Sequence, residues 1–321
     1  MSKISGYKER IGGVRGKLGI VLSPFDVLRW ICVEKLAGIR PNEWAFLCNA
    51  HIGETYLACG LMEAFRKEHN NEPVVAVLPK KYLPIARMFP AISRTITMEH
   101  LPIAFTSLIV STLRNPRKGE LLPILGFGCL GYEDLNCIDP QKMVLGLDRN
   151  ARSSRPLKPS REAMAKANRA IKEAGLRPGR TAILFPGART IRRMSATTWA
   201  RVAHTLERKG WAVATNVVGD EKAIPGTVAL RFSVEDASAV AEAAGWVIIL
   251  RSGMCELLSS ANCRKTFLYP KYRENYYNGE FKRNLNRYLM ISGMRLPNTS
   301  DLKEFEINPS LSDREIRSIL S

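Results

Sequence analysis

The feature that most constrains this chain is a twofold series of short apolar runs alternating with helix-like stretches, broken once by a polar, proline-bearing segment. In the first series, 44–48 reads as a short buried strand and 55–69 as a helix through Leu57, Leu61, Met62 and Phe65. A second strand follows at 73–78. Further strands are expected at 105–110 and 143–147. The run from Arg149 to Pro159 then interrupts the pattern, and Ser160 is placed to cap a helix reaching Gly175. The second series has strands at 181–185, 211–217, 246–250 and 265–269. Helices at 195–209, 234–244 and 255–261 alternate with them. Such alternation predicts α/β architecture, a parallel sheet covered by helices in each half. The tail closes with a helix at 312–320, expected to pack back on the first domain.

With 321 residues the chain suits two domains rather than one core. The division expected is a basic arm at 1–22, an N-terminal Rossmann-like domain at 23–155, a C-terminal one at 156–290, and a tail with its helix at 291–321. Residues 23–38 read as a helix, with Ser23 as cap, Pro24 in its first turn and Phe25, Leu28, Ile31, Cys32 and Leu36 at helical spacing. That helix either packs on its own domain or lies on a membrane, with Arg29 and Trp30 at the interface. No apolar run reaches bilayer length, and the start lacks a secretory signal pattern, so the expected location is cytoplasmic. The seven cysteines contain no Cys-x-x-Cys pair, and Cys48, Cys59, Cys129, Cys255 and Cys263 sit among apolar neighbours. They read as buried free thiols, not as a zinc site.

Charge speaks to partners. The formal net charge is +18, from 48 Lys and Arg against 30 Asp and Glu. Much of the excess lies in the arm (Lys3, Lys8, Arg10, Arg15, Lys17) and in 149–180 (Arg152, Arg155, Lys158, Arg161, Lys166, Arg169, Lys172, Arg177). Nucleic acid, anionic lipid or an anionic substrate would match it, and so would a solvated helix face beside a basic arm.

Four loops could carry chemistry, each following a strand, where open parallel sheets bind ligands. The first is Asn49-Ala50-His51-Ile52-Gly53-Glu54-Thr55. Gly53 permits close backbone approach, and Glu54 is either a general base or an ordinary first-turn charge. His51 is a second catalytic candidate or a structural loop residue. The next loop carries Arg189, Arg192 and Arg193 between a strand and the helix capped by Ser195. Arginine forks there suit a diphosphate, the other reading being a loop that is basic by chance. A third combines Arg251, Ser252 and Gly253 with Glu256, whose carboxylate is placed either for ribose hydroxyls or as helix charge. Asn216 and Asp220 follow another strand and are either cleft-lining candidates or, at Gly219-Asp220, ordinary turn chemistry. The first of these loops is neither a phosphate-binding Walker loop nor a Gly-x-Gly-x-x-Gly turn.

At these loops the sequence resembles the two-domain (GT-B) glycosyltransferases, and among them the bacterial heptosyltransferase-like family (the ADP-heptose lipopolysaccharide type). That family opens its first helix with a Gly-Asp pair; here the match is Ile52-Gly53-Glu54, with Glu in place of Asp. Residues 182–199, with Trp199, resemble the family's strand, basic loop and helix. Arg251-Ser252-Gly253 resembles its Ser-Gly turn at the donor diphosphate, followed by a strand ending at Tyr269-Pro270. The Arg-Ser-Gly turn is also similar to motifs of bacterial fucosyltransferases. The resemblance spans most of 44–270.

It implies two Rossmann-like domains facing across a cleft. It also implies transfer of a sugar from a nucleoside-diphosphate sugar, without cofactor or metal. Arg189, Arg192, Arg193, Arg251, Ser252 and Gly253 would hold the diphosphate, Glu256 the ribose, and Glu54, with His51, would serve the acceptor hydroxyl. An anionic glycan or glycolipid of lipopolysaccharide type, met at the inner face of an anionic membrane, is the expected acceptor. Modified DNA is the alternative, and non-catalytic binding of nucleic acid or nucleotide sugar is another reading.

Overall fold

The computed structural model describes residues 38–48, 51–97, 112–115, 120–123, 135–188, 191, 193–270 and 288–321. The basic arm, most of the expected helix at 23–38, the expected strand at 105–110 and Cys129 lie outside these residues.

The chain builds two sheets. The first has the order β3-β2-β1-β4-β5. It comprises β1 Trp44–Leu47, β2 Val74–Leu78, β3 Ile92–Thr97, β4 Thr112–Asn115 and β5 Glu120–Pro123. β2 is Val-Val-Ala-Val-Leu, buried at every position, the composition of a strand covered on both faces. β1, β2 and β3 are parallel, while β4 runs antiparallel to β1 and β5 to β4. The purely parallel sheet expected from the alternation is therefore mixed. Four residues separate β4 from β5, and a connection that short joins antiparallel strands only.

Helix α1, Ile52–Glu68, follows β1 and buries Tyr56, Leu57, Leu61, Met62 and Phe65. A short helix α2, Leu83–Arg87, follows β2. The strand expected at 143–147 is absent; α3, Asp139–Val144, occupies its start. Asp139 and Pro140 open that helix, and the Asp139 carboxylate accepts from the Asn136 N–H at 3.2 Å. Local helix-start chemistry outweighs the apolar character of Met143, Val144, Leu145 and Leu147.

The second sheet has the order β11-β10-β9-β6-β7-β8 and is parallel throughout. Its strands are β6 Thr181–Phe185, β7 Ala212–Asn216, β8 Val228–Leu230, β9 Gly245–Leu250, β10 Arg264–Pro270 and β11 Leu302–Ile307. One face carries α4, Arg161–Glu173, and α6, Ala237–Ala244, and the other α5, Ala196–Arg208, and α8, Asp313–Ile319. Helix α7, Gly253–Leu258, links β9 to β10. Ser160 and Ser195 cap α4 and α5 as expected, accepting from Ala163 N at 3.1 Å and Thr198 N at 3.0 Å. Helix α6 passes straight into β9 through Gly245 at φ +101°, where a Cβ would stand 2.9 Å from Gly179 O.

The last helix packs on α5, not on the first half. Leu311, Ile316, Ile319 and Leu320 join Trp199, Val202 and Leu206 in one cluster, and Arg201 pairs with Asp313. It is residues 288–298 that return to the first half. There Tyr288 O accepts from Cys137 N at 2.9 Å, and Arg295 donates to Asn150 Oδ1 at 2.7 Å. Ser312 closes a full capping box with Glu315. Ser312→Ala is expected to lower stability by about 1 kcal/mol, read as a shifted urea midpoint at unchanged slope.

Part of the basic stretch at 149–180 has structural partners. Lys166 pairs with Asp236, and Arg177 and Arg180 donate to the carbonyls of Lys209 and Gly210 that end α5. The segment between the two sheets runs along the first half. Ser154 N donates to Gly60 O at 2.8 Å and Leu157 N to Met88 O at 2.7 Å.

Candidate functional site

In the second sheet the chain moves outward from β6 in one direction, then returns to lay β9 on its other side. This puts a topological switch point between β6 and β9, where the loops at the carboxyl ends of the strands diverge and leave a crevice. The loops concerned carry Gly187 and Arg193 after β6, and Arg251 to Gly253 after β9.

After β6, Ala188, Ile191 and Met194 are buried and pin the basic loop to the sheet. Arg193 is exposed, and its Nε donates to Ala188 O at 2.8 Å. Arg189 and Arg192 lie outside the described residues. After β7, Asn216 is half-buried and Asp220 exposed in a turn, while Glu221 accepts from Val218 N at 3.1 Å. Glu221 faces the β6 loop: a Cβ on Gly187 would lie 3.7 Å from its carboxylate.

After β9, Arg251 is nearly buried and its backbone N–H is tied to Leu268 O of β10 at 2.9 Å. Its guanidinium grips Glu256 in a fork, with NH1 on Oε2 at 2.9 Å and NH2 on Oε1, and NH1 also donates to Ser252 O at 2.6 Å. Glu256 is 2% exposed. Burial pushes its carboxyl up, against the pull of Arg251, and Glu54 adds to the rise. Burial also opposes the Arg251 charge, yet Glu256 beside it keeps the guanidinium protonated. With both oxygens of Glu256 engaged by Arg251, a ribose contact would have to displace that pair. Cys255 next to it is a neutral thiol, its pKa pushed by burial to about 12.

The first half approaches this loop through the start of α1. His51 is exposed, and its carbonyl accepts from Thr55 N at 3.0 Å and Thr55 Oγ1 at 2.9 Å. Gly53 is buried, and Glu54 is half-buried in the first turn. Helix α1 meets α7 backbone to backbone. A Cβ on Gly253 would stand 2.8 Å from Gly53 N, and a Cβ on Gly53 would stand 3.0 Å from the Glu256 carboxyl carbon. The contact continues to Tyr56, whose hydroxyl lies 2.9 Å from Ser260 Oγ.

The structure thus brings Gly53, Glu54, Arg251, Ser252, Gly253 and Glu256 together at one seam. Asn216, Asp220 and Arg193 lie on the neighbouring loops of the second sheet. The reading from sequence missed Tyr56 with Ser260, and also Glu304. The Glu304 carboxylate takes the Tyr269 hydroxyl and the N–H groups of Ile291 and Ser292, anchoring the returning segment beside β10. No local pattern marks a carboxylate that finds its partners 12 to 35 residues away. A separate cavity of about 150 Å³, walled by Arg155, Leu157, Lys158, Glu242 and Asn262, lies at the other end of α7.

Two Rossmann-like halves joined in this way, with 288–298 crossing back to the first, define the two-domain fold of GT-B glycosyltransferases. Solved structures of that fold match the chain. The E. coli ADP-heptose lps heptosyltransferase II aligns with a TM-score of 0.56 at 13% identity, over 86% of this chain and 98% of its own. A glycosyl transferase family 9 protein from Veillonella parvula aligns with 0.53 at 13%, over 82% and 85%. The E. coli heptosyltransferase WaaC, solved with ADP, aligns with 0.53 at 9%, over 86% and 97%. No protein-family model and no curated protein sequence matches the chain.

Proposed function

We propose that this protein transfers a sugar, of heptosyl type, from a nucleoside-diphosphate donor to an anionic acceptor. The observation that carries this reading is the seam itself: the start of α1 packs at Gly53 and Ile52 against Gly253 of the switch-point loop, and Glu54 is the next residue of that helix. The neighbour solved with ADP and the neighbour that uses ADP-heptose support an adenine nucleotide as donor.

In this reading residues 156–290 take the donor and 23–155 the acceptor. Arg193, with Arg189 and Arg192 of the same loop, and Ser252 and Gly253 would receive the diphosphate; Glu54 would take the proton of the acceptor hydroxyl. The rate would come from holding the two substrates in line and from stabilising the departing diphosphate with arginines, with no metal required. His51 lies on the acceptor side, and Asn216 and Asp220 border the donor loops. The net charge of +18 favours a phosphorylated glycan or glycolipid at an anionic membrane surface, or modified DNA, as acceptor. Among the described residues no helix is long and apolar enough to cross a membrane.

Thermal unfolding with ADP, GDP, UDP and their sugars, at two salt concentrations, tests the donor. At about 100 times its dissociation constant the right nucleotide should stabilise the protein by about 2.7 kcal/mol, and the shift should survive added salt. Equal shifts with every polyanion, all erased by salt, would replace this reading with charge-driven binding.

A further inference from the structure

A buried arginine beside a proposed phosphate site is normally read as a phosphate ligand. Here the guanidinium of Arg251 is already taken, by an anion that the protein supplies itself. The Glu256 carboxylate meets it as a phosphate would, two oxygens against two N–H groups, in a nearly buried setting. The same carboxylate is pressed against the first half, with its Cδ, Oε2 and Oε1 lying 3.0, 3.0 and 3.2 Å from where a Cβ of Gly53 would be. Beside the pair, Arg251 Nε and Ser252 Oγ are buried without any hydrogen-bond partner among the described residues. Unpartnered polar atoms next to a satisfied ion pair point to a site built for more oxygens than Glu256 provides. The backbone contact between Gly53 and Gly253 leaves no space for a phosphate oxygen between them in this arrangement.

We infer that Glu256 is an internal competitor for Arg251: its carboxylate occupies the guanidinium, and an incoming phosphate displaces it and parts α1 from α7. The inference rests on the donor-site reading above and assigns Glu256 a role other than ribose contact. Binding then exchanges one anion for another at Arg251. Affinity for phosphate is held down by the strength of the internal pair, and the seam between the halves is tied to occupancy of the site.

Titration calorimetry of the full-length protein with pyrophosphate and with ADP separates these roles, because pyrophosphate has no ribose. Glu256→Gln should bind both about tenfold more tightly than wild type at equal salt, since a charge-assisted acceptor has been removed from the guanidinium. The double variant Arg251→Gln with Glu256→Gln should show no gain. Pyrophosphate binding that is unchanged or weaker in Glu256→Gln, or a gain that persists without Arg251, overturns the inference. Weaker ADP binding with unchanged pyrophosphate binding would assign Glu256 to the ribose instead. If Glu256→Gln does not fold, Glu256→Asp draws the carboxylate back from Gly53 while keeping its charge. It should tighten pyrophosphate binding less strongly, and no tightening there also overturns the inference. Should pyrophosphate tighten while ADP binds no better than pyrophosphate in any form, the competition stands and the nucleotide donor falls.

Discussion

Gly253→Ala is expected to destabilise the protein by about 1–3 kcal/mol, more than Gly53→Ala at the same seam. The two glycines face different obstacles. At Gly253 the new methyl meets the backbone nitrogen of Gly53 at 2.8 Å and Ile52 Cβ at 3.1 Å, and neither can turn away unless α1 itself moves. At Gly53 it meets the Glu256 carboxylate, a side chain that can yield. Helix propensity works in the opposite direction, because Gly253 opens α7 and alanine is the better helix former by roughly 0.5–1 kcal/mol. The sign of the change is therefore decisive. A lower denaturant midpoint together with a larger radius of gyration in solution scattering would show the halves forced apart. A neutral or stabilising alanine would mean that α1 and α7 do not meet there.

Removing Arg251 is expected to have a larger effect still. Arg251→Met leaves the Glu256 carboxylate buried without its partner, a loss of about 3–5 kcal/mol. Replacing both, as Arg251→Met with Glu256→Leu, should restore most of that, because no buried charge is then left alone. The pH dependence has a defined sign. The folded-state carboxyl of Glu256 is already raised above its ordinary 4.5 by burial, and loss of Arg251 raises it further. An acid whose pKa is raised on folding is least costly below its unfolded pKa and costs more as pH climbs through the folded value. The deficit of Arg251→Met should therefore be small near the unfolded pKa and grow toward neutrality. Denaturant melts of both variants at about pH 5 and about pH 8 would measure it. A deficit that is flat with pH would mean Glu256 finds another partner.

The elements most legible in the sequence were those with a strong local signature. The strand Thr181–Phe185 and the helix after Ser195 need only an unbroken apolar run and a capping hydroxyl before amphipathic spacing. At Ala237–Ala244 and Gly253–Leu258 the expected helices shift by two or three residues, as fraying ends do. The 143–147 segment was misread because its apolar residues satisfy a strand pattern as well as a buried turn, and the Asp-Pro start upstream decides between them. Strand β11 escaped notice because Leu-Lys-Glu-Phe-Glu-Ile is half charged. It is an edge strand that exists only because β10 offers it a partner.

The candidate site divides in the same way. The sequence by itself determined the fold class, two strand–helix series with a break between them. It also determined which loops stand at strand ends with glycine, arginine and carboxylate in them, since periodicity and turn chemistry are local properties. Only the tertiary structure decided what those groups do to one another. Arg251 and Glu256 could each have faced a ligand; burial at the tip of β9 turned them toward each other, because a charge removed from water must find an opposite charge at hydrogen-bonding distance. Gly53 and Gly253, two hundred residues apart, acquire their meaning where two helix starts touch, and no spacing along the chain encodes that contact.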